Sequence, residues 1–173
     1  MITIKRLFVV GILVLCTMMC FAEPELRSVD YQKLVSAVTL RFEDFPAVKN
    51  WNGKRCAPVL DTDFKKQYRT LIKQNAADEP NFNGIYRIAE FGAGTGWHGF
   101  FVINLETGIV TEGIFNEFGL EYSKDSRMLV VNPSATILDY WQDEENIPAR
   151  AFSSYLLFED GQFIKLLDVY KAD

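Results

Sequence analysis

The stretch Gly92–Gly99, GAGTGWHG, decides which fold the sequence can support. Its last three glycines have the G-x-G-x-x-G spacing of a dinucleotide-binding loop. Such a loop needs a strand before it and a helix after it, because the N-terminus of the helix holds the pyrophosphate. Here residues 99–104, GFFVIN, are β-branched and aromatic, which favours a strand. The sequence therefore predicts that the glycines join two antiparallel strands, and it predicts no nucleotide cofactor.

Short alternating segments separated by turns predict further antiparallel strands around this hairpin. The clearest helix is predicted from Phe64 to Ala76, where apolar side chains recur on one stripe after a capping residue, Asp61 or Thr62. Residues 139–146 are predicted to form a solvated loop or a single helical turn. The predicted fold class is α+β: an antiparallel β-meander sheet with one packed amphipathic helix. The predicted strands are residues 84–91, 99–104, 110–115, 127–132, 154–158 and 162–169.

The first 22 residues have the three-part pattern of a secretory signal peptide. Lys5 and Arg6 precede an apolar run that ends at Ala22, and the charged segment EPE follows directly. We therefore expect a signal peptide at residues 1–22 and a single α+β domain at residues 23–173, located in the periplasm or secreted. A retained membrane anchor or a lipoprotein is the alternative. After cleavage, no integral membrane span is expected.

Charge and cysteine content narrow the classes of partner. Loss of Lys5 and Arg6 would change the formal net charge from −5 to −7, which argues against nucleic acid as a ligand. Cys56 is the one cysteine beyond the predicted signal peptide, so no intramolecular disulfide is expected. His98 is the only histidine, and a zinc site needs three or four ligands, so no metal site is predicted.

Four segments resemble a loose group of small exported bacterial β-meander proteins that have no assigned activity. The segments are residues 81–87 (NFNGIYR), 91–95 (FGAGT), 104–110 (NLETGIV) and 125–132 (DSRMLVVN). Such proteins often carry Gly-Cys-Gly-Thr and a second cysteine that would staple the loop. Here Ala93 stands at the first cysteine position and Trp97 and His98 stand near the second. The resemblance implies an architecture and a compartment, and it supplies no active residues.

Two arrangements would fit a small extracytoplasmic hydrolase. Cys56 and His98 could act as nucleophile and base, although neither lies in a recognisable signature. Glu90 could act as a catalytic acid. The structural interpretation of Glu90, which we prefer, is an ion pair, because a carboxylate needs a partner if its strand face is buried. The candidate partners are Arg69, Arg87 and Arg127.

The glycine loop also carries a large aromatic side chain, Trp97, next to His98. Aromatic residues on loops often anchor protein contacts, because their rings give much contact area for little lost freedom. The sequence therefore favours a binding module over an enzyme, and its partner is expected to be a protein of the cell envelope. An inhibitor or immunity-type protein would fit this role; a hydrolase and a structural envelope protein are the alternatives. The predicted binding residues are Gly94, Thr95, Gly96, Trp97 and His98.

Overall fold

The computed structural model describes residues 35–142, 146–148 and 150–169. The predicted signal peptide at residues 1–22 lies outside the described residues. The helical elements that lie wholly within these ranges include a 3₁₀ turn at Phe42–Asp44 and the α-helices α1 (Asp63–Gln67), α2 (Arg69–Ala77) and α3 (Ser134–Tyr140). The strands are β1 (Tyr86–Gly94), β2 (Trp97–Asn104), β3 (Val110–Glu112), β4 (Leu120–Tyr122), β5 (Met128–Val131), β6 (Ser153–Glu159) and β7 (Gln162–Val169).

The strands form two antiparallel sheets in which sequence neighbours pair, so the predicted α+β meander is confirmed. One sheet has the order β1-β2-β3 and the other has the order β4-β5-β6-β7. β1 and β2 pair antiparallel along their whole length, with Ala89 opposite Phe101 and Glu90 opposite Phe100. The chain therefore turns back as a strand after the glycines, and no helix follows Gly99. The dinucleotide-binding interpretation of this loop is excluded on that ground.

The three-stranded sheet lies between the other two layers because its strands are apolar on both faces. On one face, Phe100 and Val102 pack against Leu129 and Phe158 of the larger sheet. On the opposite face, apolar side chains pack against helices α1 and α2. This second cluster contains Ile72, Ala76, Ala89, Phe101, Ile103, Leu105 and Val110. The order of layers is therefore helix, small sheet, large sheet.

The predicted helix is present but is interrupted at Tyr68, which has φ −96° and ψ 18°. Thr62 is the N-cap, as expected, because its hydroxyl accepts a hydrogen bond of 3.1 Å from the backbone N–H of Lys65. The rings of Phe64 and Tyr68 lie 5.1 Å apart and both pack on Phe101. The apolar stripe therefore faces the sheet even though the backbone changes direction.

Residues 81–84, Asn-Phe-Asn-Gly, form a buried turn that joins distant parts of the chain. Asn83 accepts a hydrogen bond from the backbone N–H of Val48 at 3.2 Å and donates to the carbonyl of Phe158 at 3.4 Å. Gly84 donates to the carbonyl of Lys124 at 2.7 Å. Because the turn bonds to segments on both sides of it, it fixes the larger sheet against the smaller one.

Candidate functional site

The tip of the β1–β2 hairpin carries the predicted binding residues. Thr95 and Gly96 are the two residues between the strands, with φ values of 49° and 83°, which a type I′ turn requires. A β-bulge between Gly92 and Gly94 twists the end of β1. A methyl group added at Gly92, Gly94 or Gly96 would meet nothing within 4 Å. The tip is therefore a narrow, exposed ribbon.

Strand alternation places Trp97 and His98 on opposite faces of this ribbon. Trp97 lies on the same face of β2 as Phe101, toward the helix layer, whereas His98 lies on the same face as Phe100. The two predicted binding residues therefore face opposite sides of the hairpin, because consecutive residues in a strand point to opposite sides.

The Trp97 side is an apolar surface. The side chain of Trp97 is 43% exposed and that of Phe115 is 53% exposed. Residues 113–116 run beside the start of β2, since His98 and Asn116 exchange backbone hydrogen bonds of 2.8 and 2.9 Å. The ring of Phe115 packs edge-on against Phe64 at 6.4 Å and Phe91 at 6.5 Å. Phe115 is therefore held in place from below while its outer face stays exposed.

The His98 side borders an open cleft with a volume of about 420 Å³. The hairpin contributes Thr95, Gly96 and His98 to one wall. The opposite wall consists of Phe118, Tyr140 and Trp141, and the charged residues Glu117 and Arg150 complete the lining.

The opposite wall of the cleft is an aromatic cluster built on helix α3 and on the loop before β4. Ring centroids lie 4.7 Å apart for Tyr140 and Trp141 and 5.0 Å apart for Phe118 and Trp141. The amide oxygen of Asn132 holds the loop, because it accepts hydrogen bonds from Glu117 N–H at 3.0 Å and Phe118 N–H at 2.9 Å. The cluster is therefore positioned before any ligand arrives.

The charged groups of the cleft are only loosely paired. The Glu117 side chain is 23% exposed, and its Oε1 lies 3.9 Å from Nε of Arg150, whose side chain is 73% exposed. That separation is within ion-pair range but is longer than a hydrogen bond.

The residues proposed for a hydrolase do not assemble. The backbone N–H of Cys56 donates to the carbonyl of Leu105 at 2.9 Å, beyond the end of β2 that is farthest from His98. Leu105 lies seven positions after His98 along β2 and its continuation, which corresponds to roughly 20 Å. Cys56 and His98 therefore cannot act as a nucleophile and base on one substrate in this conformation.

Glu90 is exposed, and the predicted arginine partner is wrong. Its carboxylate accepts a hydrogen bond of 3.2 Å from the hydroxyl of Tyr122. Burial, followed by the charge and hydrogen bond of Glu90, raises the pKa of Tyr122 to about 12. Two of the candidate arginines pair elsewhere, Arg87 with Asp78 and Arg127 with Glu159. The third, Arg69, donates to the carbonyl of Lys66.

Within the parts of the chain that the structure describes, no group of three or more His, Cys, Asp or Glu side chains could hold a metal ion. Among the same residues, no helix is long and apolar enough to cross a bilayer.

Neither a protein-family model nor a curated protein nor a solved structure matches this chain. The resemblance to small exported β-meander proteins therefore stays a prediction.

Sequence reasoning missed the cleft opposite His98. Its walls come from residues 95–98, 117–118, 140–141 and 150, which no local motif connects. The adjacent aromatic pair Tyr140 and Trp141 was the available signal. The acidic residues from position 139 onward outweigh this signal, because they favour a solvated loop.

Proposed function

We propose that the protein is an exported binding module that contacts a protein partner of the cell envelope through the tip of the β1–β2 hairpin. The observation that carries this proposal is the exposed Trp97 side chain on a ribbon whose glycines have no neighbours. A tryptophan held on paired strands loses little freedom on binding, and tryptophan is enriched among the residues that dominate protein interfaces.

Export rests on the sequence alone, through the basic, apolar and charged order of residues 1–25. Loss of Lys5 and Arg6 with the signal peptide would change the formal net charge from −5 to −7, and this charge would steer the protein toward a basic partner.

The shape of the hairpin suits an inhibitor or immunity-type role. Beyond His98 the tip is two strands wide, because residues 113–116 pair with β2 only as far as His98. A tip of this width can enter a cleft of another protein, where Trp97 would contact one wall. If this protein is an inhibitor, the enzyme that it binds would lose activity in proportion to the amount of complex formed.

The test first captures the partner from cell-envelope extract with the purified protein. Calorimetry then measures the affinity of that partner for the wild-type protein and for Trp97→Ala. We expect the substitution to weaken binding at least about tenfold, which is the size of effect found at interface hot spots. Ile164→Ala on β7 is the matched control, because Ile164 is 46% exposed and lies on the other sheet. Equal affinities for wild type and Trp97→Ala would overturn the proposed role of the hairpin.

A further inference from the structure

The cleft on the His98 side has features that suit a guanidinium ligand. Its aromatic wall presents Tyr140, whose side chain is 70% exposed, next to Trp141. Guanidinium groups stack on such rings through cation–π attraction and form paired hydrogen bonds with a carboxylate. Glu117 supplies a carboxylate in the same cleft.

The pairing of Glu117 leaves room for such a ligand. Among the described residues, Arg150 is the only cation within ion-pair distance of Glu117, and it lies at 3.9 Å. Arg150 approaches from solvent, so its side chain can move aside at little cost. A ligand guanidinium at hydrogen-bond distance would have a stronger interaction with the carboxylate than Arg150 has.

Charge around the cleft favours a cation as well. Asp139 is exposed on helix α3, one residue before Tyr140. Nearby carboxylates raise the local concentration of a basic ligand and oppose an acidic one.

We propose that this cleft binds an arginine side chain of the protein partner, held by the carboxylate of Glu117 against the rings of Tyr140 and Trp141. The inference rests on the proposed function, because it names the partner group that meets the second face of the hairpin. Trp97 would contact the partner on one side, and the cleft would receive its arginine on the other.

The test uses the purified protein and three peptides, acetyl-Gly-Arg-Gly-amide, acetyl-Gly-Gln-Gly-amide and acetyl-Gly-Glu-Gly-amide. Binding is followed by NMR through the indole N–H of Trp141, assigned with a Trp141→Phe variant. We expect the arginine peptide to shift this signal in a saturable way and the glutamine peptide to leave it unchanged. Added salt should weaken the binding, because part of the attraction is between exposed charges.

The matched variants are Glu117→Gln and Glu121→Gln. Glu117→Gln keeps the size of the side chain and should weaken binding of the arginine peptide about tenfold or more. Glu121 is exposed on β4 and does not line the cleft, so its variant should bind like wild type. Unchanged amide signals far from the cleft would confirm that both variants are folded.

Three results would overturn the proposal: equal shifts with the arginine and glutamine peptides, unchanged affinity in Glu117→Gln, or preferential binding of acetyl-Gly-Glu-Gly-amide through Arg150. None of them depends on Trp97. If Trp97→Ala abolishes partner binding and the arginine peptide does not bind, the cleft proposal is wrong and the hairpin proposal stands. If Trp97→Ala leaves partner binding unchanged and the arginine peptide binds, the hairpin proposal is wrong and the cleft proposal stands.

Discussion

Two glycine-containing turns, residues 81–84 and 92–99, differ in what surrounds them. A methyl group added at Gly84 would lie 1.7 Å from the carbonyl oxygen of Lys49, so this glycine is required by packing. Gly94 and Gly96 also have positive φ values, but nothing lies within 4 Å of a methyl group at either position. Glycine at residue 84 therefore serves the fold, whereas at residues 94 and 96 it serves only the shape of the hairpin.

This difference separates structural segments from segments that are free to bind. The buried turn bonds to residues 123–126, which overlap the segment DSRMLVVN, and it belongs to the segment NFNGIYR. These two segments of the resemblance are thus explained by packing alone. At the hairpin tip, methyl groups added at Gly92, Gly94 and Gly96 would meet nothing within 4 Å, and this is the segment for which we propose a binding function.

The largest effect expected from this difference between the two turns is tested by substituting alanine at one glycine of each turn. Gly84→Ala forces the backbone around Lys49 to move and imposes a φ of +72° on a residue with a side chain. We expect it to lower the free energy of unfolding by about 3–5 kcal/mol, as measured by urea denaturation. Gly96→Ala should cost about 1 kcal/mol, because only the positive φ is unfavourable. Equal losses would show that the two turns do not differ.

The second prediction concerns Asn83, which is buried in the same turn. Asn83→Ala removes the hydrogen bonds to Val48 N–H and the Phe158 carbonyl, and both backbone groups lose a partner. We expect the free energy of unfolding to fall by about 3 kcal/mol, as measured by thermal and urea denaturation. Asn52→Ala is the control, because its side chain bonds to Lys54 N–H on the exposed surface. A small effect of Asn83→Ala would mean that the turn does not hold the sheets together.

The sequence predicted the elements with strong local signals and missed those that depend on distant contacts. β7 was predicted at residues 162–169, as observed, because the turn at Asp160 and Gly161 and the alternation after it are local. β4 has only three residues, 120–122, and is recognisable mainly through its pairing with β5. The predicted strand 110–115 ends at Glu112, since the chain continues beside β2 only through isolated backbone bonds.

Division into two sheets could not be predicted either. Alternation indicates strands, but it does not say that β3 and β4 leave each other unpaired. For the candidate site, the hairpin tip was predicted from its glycines and its aromatic residue. The cleft was not, because Glu117 and Trp141 approach His98 only after helix α3 and the loop before β4 are in place.

A third prediction tests the one glycine of the 92–99 stretch that is required by packing. A methyl group at Gly99 would lie 2.4 Å from the ring of Phe91, which stacks on Phe101 with centroids 5.2 Å apart. We expect Gly99→Ala to lower the free energy of unfolding by about 2 kcal/mol, because the ring must move.

Its control is Gly92→Ala, which meets no neighbour and should be close to neutral. Adding Phe91→Leu to Gly99→Ala should recover part of the loss, since the two residues are in contact. Strictly additive effects of the two substitutions would contradict the steric explanation.

The smallest expected effect concerns the hydroxyl of Tyr122, which donates to Glu90 on β1. The pKa of Tyr122 is raised from 10.0 to about 12 by burial and by Glu90. The folded protein therefore keeps this proton at pH values where the unfolded chain loses it. The stabilisation is complete below about pH 10 and is lost as the pH rises through about 12. Because the site is partly exposed, solvent screening limits the contribution to less than about 1 kcal/mol.

Titration of tyrosinate by ultraviolet absorbance measures this shift, and Tyr122→Phe identifies the corresponding step. Glu90→Gln should lower the pKa of Tyr122 by removing the negative charge that opposes a phenolate, while burial still keeps that pKa above 10.0. Glu121→Gln on the adjacent position of β4 should leave the titration unchanged, because Glu121 is not among the groups that shift the pKa of Tyr122. An unchanged Tyr122 titration in Glu90→Gln would mean that the contact between β1 and β4 is absent in solution. The polar contact left at this edge would then be the amide of Asn81, which donates to the Tyr122 hydroxyl at 3.4 Å and accepts from the backbone N–H of Ile88 on β1 at 2.7 Å.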